Sequence, residues 1–496
     1  MTLDPRTIDP RTPVLIGVAQ VVEHLDDPLV ARHPAALMAD AVREAARDAG
    51  LRGLPAIDSL RVVALLSCRY ANPGRAVARE LGLEPHETAV TTMGGNSPQS
   101  LVNTTAAAIR RGELDLAILT GGEAARSRRL ARAGGIDLGW PTYPDDDPPA
   151  IIGDELEMSH PIERAHGVMM PVQIYPMFET ALRAAAGRSP AAHTAHIAAL
   201  WSRFSAVAAD NPHAWSRVRR SADEIATPTP TNRMIGLPYT KYMNSNNDVD
   251  MAATLVMCSA ERARSLGVAP DRWVFPQAGV DCHEHDFVSH RWTFTQTPAI
   301  ELGARAVLEL AGTTIDDVGI VDLYSCFPSA VQLGAASIGL APDVQLTRTG
   351  GLPFAGGPWN NYVMHAIATI VDELRRSPDA TALVWANGGF ATKHSFGIYR
   401  TTPPAAGFRH TSPQGVIDAL PRRVVDDEID APVTIEAYTV MHDRDGRPEQ
   451  AIATCLTADG RRTWATSAHA DVTSAMCEGE WVGTRIRRTA DGGLHP

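Results

Sequence analysis

The chain has 496 residues, of which 44% are hydrophobic, and its formal net charge is −12. This length predicts two to four domains with large apolar cores. The acidic balance and the lack of a basic stripe argue against a nucleic-acid partner. No apolar run approaches the roughly 18 residues of a membrane span, and residues 1–13 lack an apolar signal segment. The six cysteines have no paired spacing, which is typical of reduced thiols. We therefore expect a soluble cytoplasmic protein with no membrane span.

Strand and helix patterns alternate at the start of the chain. The apolar run 14–19 predicts a buried strand, and residues 34–50 have helical spacing that stops at a glycine. Residues 62–66 predict a second strand, which Ser67 and Cys68 end. A glycine-rich turn at residues 93–98 then precedes a helical pattern. Glycine permits close backbone approach, so the similar Gly356-Gly357-Pro358 turn later in the chain can deliver backbone N–H groups to a site at the start of a helix, and a surface turn is the structural alternative.

The pattern changes after residue 126. A basic helical segment covers residues 126–132, and a mostly helical run covers residues 171–208 before it breaks at Asn211-Pro212. A buried strand at residues 250–257 returns to the apolar core. We interpret residues 127–240 as an excursion inserted into the first half of the chain.

The second part of the chain repeats the order of the first. A strand pattern at 320–324 ends in Ser325-Cys326, as the earlier one ends in Ser67-Cys68. Cys68 and Cys326 lie 258 residues apart, and the prolines that follow each next helical segment, Pro85 and Pro342, lie 257 apart. A second glycine-rich turn, at residues 349–361, again precedes a helix. Order and spacing indicate a duplicated β-α-β-α-β unit, since a period this long reflects domain duplication.

The tail from residue 403 has the texture of a small β domain. Residues 433–440 alternate between apolar and polar side chains. Asp445-Gly446 and Asp459-Gly460 are hairpin-turn signals flanked by strand-like runs. The sequence therefore predicts a barrel or a meander at the C-terminus.

Together these features resemble the thiolase superfamily, especially the sterol-carrier-protein type and the thiolase-like proteins of type 1, which carry an added C-terminal β domain. The motifs that carry the resemblance are Asn211-Pro212, Asp250-Met251-Ala252-Ala253, Tyr324-Ser325-Cys326-Phe327, Gly350-Gly351, Gly356-Gly357-Pro358 and Ala386-Asn387-Gly388-Gly389. The resemblance covers about residues 13–402. It implies an α/β fold in which two βαβαβ halves pack as five αβαβα layers, with a loop domain inserted in the first half.

The resemblance also implies a division of the chain and a ligand class. The N-terminal half would be 13–126 with 241–266, the loop domain 127–240, the C-terminal half 267–402 and the added β domain 403–496. Members of this superfamily, such as acetyl-CoA acetyltransferases in lipid metabolism, act on coenzyme A thioesters. We therefore expect acyl-CoA or CoA as ligand and no resident cofactor. Both a monomer and a homodimer remain open.

The residues at the family's catalytic positions differ in this chain. The nucleophilic Cys of a thiolase falls on Gly94, give or take one residue, and its activating His falls on Gly357. The Cys that handles the substrate α-proton falls on Ala386, and Tyr324 replaces a further His. Thiolate attack requires a Cys activated by a base. The resemblance therefore implies a retained fold without ordinary thiolysis or Claisen condensation.

Other residues are candidates for a replacement chemistry. Cys326 offers a thiol, His394 an acid or base and Asn387 an amide for an oxyanion. Their structural alternatives are a small buried hydrophobe, a loop-locking His and an amide that caps its own turn. Ser97 is the nearest hydroxyl to the lost nucleophile, although an N-cap role is favoured. The expected substrate pocket is formed by Gly94, Gly95, Asn96, Ser97, Tyr324, Gly356, Gly357 and Gly388.

Two further charged segments are candidate binding sites. Residues 281–286 contain the Cys, His and carboxylate groups that zinc uses, but no second ligand pair at motif spacing accompanies them. We favour a polar strand-end loop there and no metal. Arg126, Arg128, Arg129 and Arg132 could meet CoA phosphates, although a solvated helix face is favoured.

Three functions stay open at this point. The leading hypothesis is an acyl-CoA-binding protein with a degenerate catalytic set. The second is an acyltransferase with a different nucleophile, Cys326 or Ser97. The third is a non-enzymatic scaffold subunit that uses the β tail as an interaction module.

Overall fold

The computed structural model of the protein describes residues 4–341 and 343–495. Pro342, used above as a landmark of the repeat, lies outside the described residues, as do residues 1–3 and 496. The described chain is of the mixed α/β class, as predicted.

The helices and strands follow in chain order. The helices are α1 (Pro34–Asp48), α2 (Pro73–Leu81), α3 (Ser97–Arg111), α4 (Ala125–Gly134), α5 (Pro161–Ala165), α6 (Pro171–Ala185), α7 (Pro190–Asp210), α8 (Ala222–Ala226), α9 (Ala260–Ser265), α10 (Pro298–Ala311), α11 (Pro328–Ile338), α12 (Leu352–Ala355), α13 (Tyr362–Arg376), α14 (Gln414–Asp418) and α15 (Ala470–Glu478). The strands are β1 (Pro13–Val22), β2 (Ser59–Val62), β3 (Glu87–Thr91), β4 (Leu116–Ala124), β5 (Ala150–Ile152), β6 (Met234–Gly236), β7 (Tyr239–Thr240), β8 (Asp250–Ser259), β9 (Phe275–His283), β10 (Ile320–Leu323), β11 (Ala382–Gly388), β12 (Lys393–Arg400), β13 (Arg409–Thr411), β14 (Ala431–His442), β15 (Pro448–Leu456), β16 (Arg462–Ser467), β17 (Arg485–Arg488) and β18 (Leu494–His495).

Two sheets form the body of the molecule. The first has the strand order β1-β8-β4-β2-β3-β5, and the second has the order β10-β11-β12-β9-β13. Helices α3 and α13 lie between the two sheets, α1 and α2 cover the outer face of the first, and α10 and α11 cover that of the second. This is the five-layer αβαβα arrangement that the resemblance to the thiolase superfamily implied.

The central helix α3 approaches the second sheet closely because the facing strand positions are glycines. A Cβ on Gly397 would lie 2.7 Å from the Gln99 Cδ atom, and a Cβ on Gly279 would overlap the Asn103 amide. The space is filled by a buried polar chain in which Tyr399 donates to Gln99 and Gln99 donates to Asn103, at 2.8 Å each. Satisfied polar groups of this kind fix the register between a helix and a sheet.

A third sheet contains the tail, in the order β16-β15-β14-β17-β18, and β6 of the excursion pairs with β14. Both predicted hairpin turns are confirmed, because β14, β15 and β16 follow one another as antiparallel neighbours. Buried Arg462 joins this sheet to the second half of the core. Its guanidinium donates to the Glu436 carboxylate at 2.7 and 2.9 Å and to the Ser289 carbonyl at 2.8 Å.

The prediction of a strand over residues 62–66 is wrong, since β2 ends at Val62. Side chains take over the backbone hydrogen bonds from that point. The Ala64 N–H donates to the Thr91 hydroxyl at 3.0 Å. The N–H groups of Leu66 and Ser67 donate to the Glu123 carboxylate, at 2.7 Å each. Beyond Val62 the apolar run is therefore a loop that passes from buried Val63 to exposed Leu66, and its composition alone does not distinguish it from a strand.

Candidate functional site

The glycine-rich turn before α3 lies against residues from the second half of the chain. Gly94 has a φ of 150°, and its N–H donates to the Asn360 side chain at 3.1 Å. A Cβ on Gly95 would lie 2.5 Å from the Asn387 carbonyl oxygen and 2.6 Å from Tyr324 Cζ, and closer still to the Tyr324 hydroxyl. Ordinary carbon contacts lie at about 3.5–4.0 Å. A cysteine side chain therefore has no room at Gly95, because Tyr324 fills the space.

The second glycine-rich turn is closed in the same way. A Cβ on Gly357 would overlap the Ser245 hydroxyl and lie 2.9 Å from Asn247 Oδ1. Gly356, with a φ of 106°, packs against Met251, whose sulfur would lie 2.5 Å from an added Cβ. A histidine at Gly357 would need the Ser245 and Asn247 side chains to move. The neighbouring segment, residues 245–247, thus fills the space beside Gly357.

Asn387 and Cys326 meet the hydroxyl of Tyr175, which sequence reasoning missed. Asn387 Nδ2 and the Ala391 N–H donate to this hydroxyl at 2.8 and 2.9 Å, and the hydroxyl lies 3.1 Å from the Gly389 carbonyl. Burial raises the pKa of the Cys326 thiol to about 12, and its hydrogen bond with Tyr175 only partly opposes that rise. Tyr175 lies in α6 of the excursion, and nothing in the sequence near it signals this contact.

His394 is buried in β12 beside the ring of Trp385, with 5.9 Å between the ring centroids. Burial lowers the pKa of His394 well below its usual value, and nearby Arg291 adds to this effect. Neither ring nitrogen has a hydrogen-bond partner among the described residues. His394 is therefore neutral and forms no hydrogen-bonded pair with Cys326 or Ser97.

Ser97 is the first residue of α3 and not its N-cap, so the N-cap prediction is wrong. The N-cap is Asn96, which makes no side-chain capping bond, and the Ser97 hydroxyl donates to the Thr92 carbonyl at 2.9 Å. The carbonyl oxygen of the Asn96 side chain is buried and unpartnered among the described residues, as is that of Asn387. A Cβ on Gly388 would lie 2.5 Å from Asn96 Oδ1, so the Asn96 amide packs directly against the Gly388 backbone.

A cavity of about 290 Å³ opens beside this turn, between the start of α3, strand β12 and the loop after β5. Asn96, Ser97 and His394 line it, together with Lys393, which sequence reasoning missed. The Lys393 ammonium donates to the Met93 carbonyl at 2.7 Å. Burial lowers the pKa of Lys393, and the neighbouring carboxylates of residues 154 and 155 oppose that change.

The side chains of Asp281 and Cys282 already have protein partners. Cys282 Sγ donates to the Ala299 carbonyl at 3.4 Å, whereas Asp281 accepts from Ser395 at 2.5 Å and lies 2.6 Å from His410 Nε2. Within residues 4–341 and 343–495, no group of three or more His, Cys, Asp or Glu side chains is arranged to hold a metal ion.

Three arginine side chains of the basic helix α4 already form hydrogen bonds with other protein groups. Arg129 donates to both oxygens of Asp248, at 2.6 and 2.8 Å, and Arg126 donates to Asp26 at 3.1 Å. Arg128 donates to the Leu66 carbonyl at 2.7 Å. These contacts leave little of the helix for a phosphate.

Comparison with known proteins identifies the family that shares this architecture. Residues 413–493 match the family described as the thiolase-like protein type 1 additional C-terminal domain. A solved structure, the monomeric SCP2-thiolase-like protein type 1 (STLP1) from Mycobacterium smegmatis, is 33% identical with a TM-score of 0.84. The match covers 98% of this chain and 99% of that one. The chain belongs to the SCP2-thiolase-like proteins of type 1. This confirms the predicted thiolase fold with its added C-terminal domain.

More distant structures share the fold alone. The Ltp2-ChsH2(DUF35) aldolase is 18% identical with a TM-score of 0.59, and the match covers 79% of this chain and 98% of that chain. The acetyl-CoA acetyltransferase from Syntrophomonas wolfei is 17% identical with a TM-score of 0.58, and the match covers 79% and 100%. No curated protein matches the chain. Among the helices that the structure describes, none has the length and apolar character to cross a membrane.

Proposed function

We propose that this thiolase-like protein binds acyl-CoA or CoA without forming an acyl-enzyme. The observation that carries the proposal is the closed turn at Gly95. The Tyr324 ring and the Asn387 carbonyl occupy the volume that a nucleophilic side chain would need there. A substitution that merely removed the cysteine would leave a gap, whereas here the gap is filled.

The remaining candidates do not supply a replacement nucleophile. With a pKa of about 12, the Cys326 thiol is almost entirely protonated at neutral pH, and the thiolate is the reactive species. The Ser97 hydroxyl donates to a backbone carbonyl, and among the described residues no base forms a hydrogen bond with it. The neutral His394 ring bonds to neither of them. A nucleophile needs an adjacent base or a lowered pKa, and these residues have neither.

Ligand binding is supported by an unsatisfied group at the cavity. Asn96 lines the cavity, and its side-chain oxygen is a buried acceptor without a protein donor in the described chain. A buried acceptor that lacks a partner costs about 1–3 kcal/mol, which a ligand N–H group would recover. Coenzyme A carries two such amide N–H groups in its pantetheine arm, and Lys393 provides a cation at the same cavity.

A monomeric, cytoplasmic protein agrees best with these features. The edge of β3 in the first sheet is covered by β5 of the same chain, which pairs with it in parallel. The edge strand is then β5, which has only three residues and offers little backbone for pairing with a second copy. The relative from Mycobacterium smegmatis is described as monomeric. The Ltp2 structure contains a DUF35 partner, so a protein partner at the thiolase fold is the corresponding alternative for a scaffold role.

The test combines binding with turnover on one preparation. We expect calorimetric titration to show micromolar binding of CoA and acetyl-CoA. Acetoacetyl-CoA thiolysis should be undetectable, and mass spectrometry after incubation with acetyl-CoA should show no acetylated peptide. Replacement of Lys393 by Met should weaken CoA binding about tenfold, as expected for a partly buried charged contact. Lys241, the other lysine of the chain and an exposed one, provides the matched control as Lys241→Met.

Each contrary result points to a different alternative. Thiolysis or an acetylated Cys326 or Ser97 peptide would refute the absence of an acyl-enzyme and favour an acyltransferase. A lack of any CoA binding would refute the ligand class and favour the scaffold role. Equal effects of the two lysine substitutions would remove the cavity at α3 as the binding site.

A further inference from the structure

A second cavity lies on the outer side of the second half, between α7 of the excursion and α11. Its volume is about 600 Å³, within the roughly 300–1,000 Å³ typical of small-molecule sites. Its described lining residues are distinct from those of the cavity at the start of α3. Its apolar wall is formed by Ala199, Leu200, Val331, Ala335, Ala336, Leu340 and Leu346.

The polar groups of this outer cavity carry positive charge. Arg188, Arg203 and His196 line it, and no carboxylate belongs to its described lining. The three groups lie close enough that the arginines, after burial itself, help to lower the pKa of His196. The Arg188 guanidinium has no ion pair or hydrogen bond among the described residues. One side of the cavity is therefore apolar, and its opening is cationic.

A buried carboxylate, that of Glu179, partly opposes the effect of the two arginines on the pKa of His196. Glu179 lies behind Gln332, the remaining polar residue of the lining, and accepts from its amide at 2.7 Å. Its oxygens also accept from Tyr239 at 2.6 Å and lie 2.5 Å from His193 Nε2. Glu179 of α6 thus links to α7 and α11 through hydrogen bonds, and both of its carboxylate oxygens already have protein partners.

From this combination we infer that the cavity binds a fatty carboxylate, with the acyl chain along α11 and the carboxylate at Arg188 and Arg203. An apolar slot suits an alkyl chain through the burial of its methylene groups, at about 0.8 kcal/mol each. Guanidinium groups suit a carboxylate through paired N–H donors. The inference concerns a site separate from the proposed CoA site and does not depend on it.

Calorimetric titration with decanoate and 1-decanol tests both parts of the inference. Decanoate should bind at one site, and 1-decanol should bind about tenfold more weakly because it lacks the charge. Arg188→Gln should weaken decanoate binding up to about fivefold and leave 1-decanol binding unchanged. Ala336→Phe should reduce the binding of both ligands at least tenfold, since the ring fills the slot.

Matched variants outside the lining are Arg52→Gln and Ala195→Phe, both at exposed positions, and neither should change binding. Equal affinities for decanoate and 1-decanol would overturn the assignment of the carboxylate. Unchanged binding in Ala336→Phe would overturn the location. Displacement of decanoate by CoA would place it in the cavity at α3 and would likewise overturn the inference.

Discussion

Replacement of Gly95 by Ala tests whether the closed turn holds the two halves of the fold together. The added methyl would lie 2.5 Å from the Asn387 carbonyl oxygen and 2.6 Å from Tyr324 Cζ, so both segments must shift. Gly95 does not have a positive φ, so an alanine there is not strained in its backbone. The loss of stability would come from steric overlap. Overpacking of this kind typically costs about 1–3 kcal/mol. We expect a loss of that size in the free energy of unfolding.

Urea denaturation followed by circular dichroism measures this loss. Gly53→Ala is the control, because Gly53 is exposed, has no positive φ and has no atom within 4 Å of an added Cβ. Combining Gly95→Ala with Tyr324→Ala should cost less than the sum of the single changes, by about 0.5–3 kcal/mol. Recovery should be partial because the Asn387 carbonyl remains in place. A Gly95→Ala variant as stable as Gly53→Ala would refute the filled-site argument.

Three further predictions concern buried polar groups. Tyr175→Phe removes a hydroxyl that satisfies two buried donors, so chemical denaturation should show a loss of about 1–3 kcal/mol. Arg462→Met leaves the Glu436 carboxylate unpaired at the core–tail contact and should lower the free energy of unfolding by about 3–5 kcal/mol. Arg487→Ala removes an exposed ion pair and should lower it by less than about 1 kcal/mol. Similar losses in the two variants would contradict the assigned contact. Burial raises the pKa of Glu123 from 4.5 to about 7, so its folded form keeps a proton that the unfolded form releases. Glu123 should therefore destabilise the fold progressively as pH rises from 4.5 to 7, by on the order of 3 kcal/mol, and stability curves of Glu123→Gln should lack this decline; parallel curves would contradict it.

The duplication and the order of elements could be predicted because they rest on local patterns. Helix α3 follows a glycine-rich turn, and α2 and α3 both end at a glycine in the left-handed conformation, Gly82 and Gly112. Such signals act within one turn of the chain. The prediction was wrong at residues 62–66, where Glu123 accepts the backbone N–H groups of a loop. That carboxylate comes from another strand, so the apolar run could not reveal it.

The sequence by itself predicts that the thiolase cysteines and histidines are absent from their motif positions, because residue identity at a motif is local information. Only the tertiary structure decided which side chains fill the space at these positions. Tyr324 reaches the Gly95 turn from the other half of the duplication, and Tyr175 arrives from the excursion to hold Asn387. The burial that raises the Cys326 pKa likewise arises from packing between these segments. Contacts between residues far apart in the chain depend on how layers pack, and no periodicity or spacing encodes which side chains will meet.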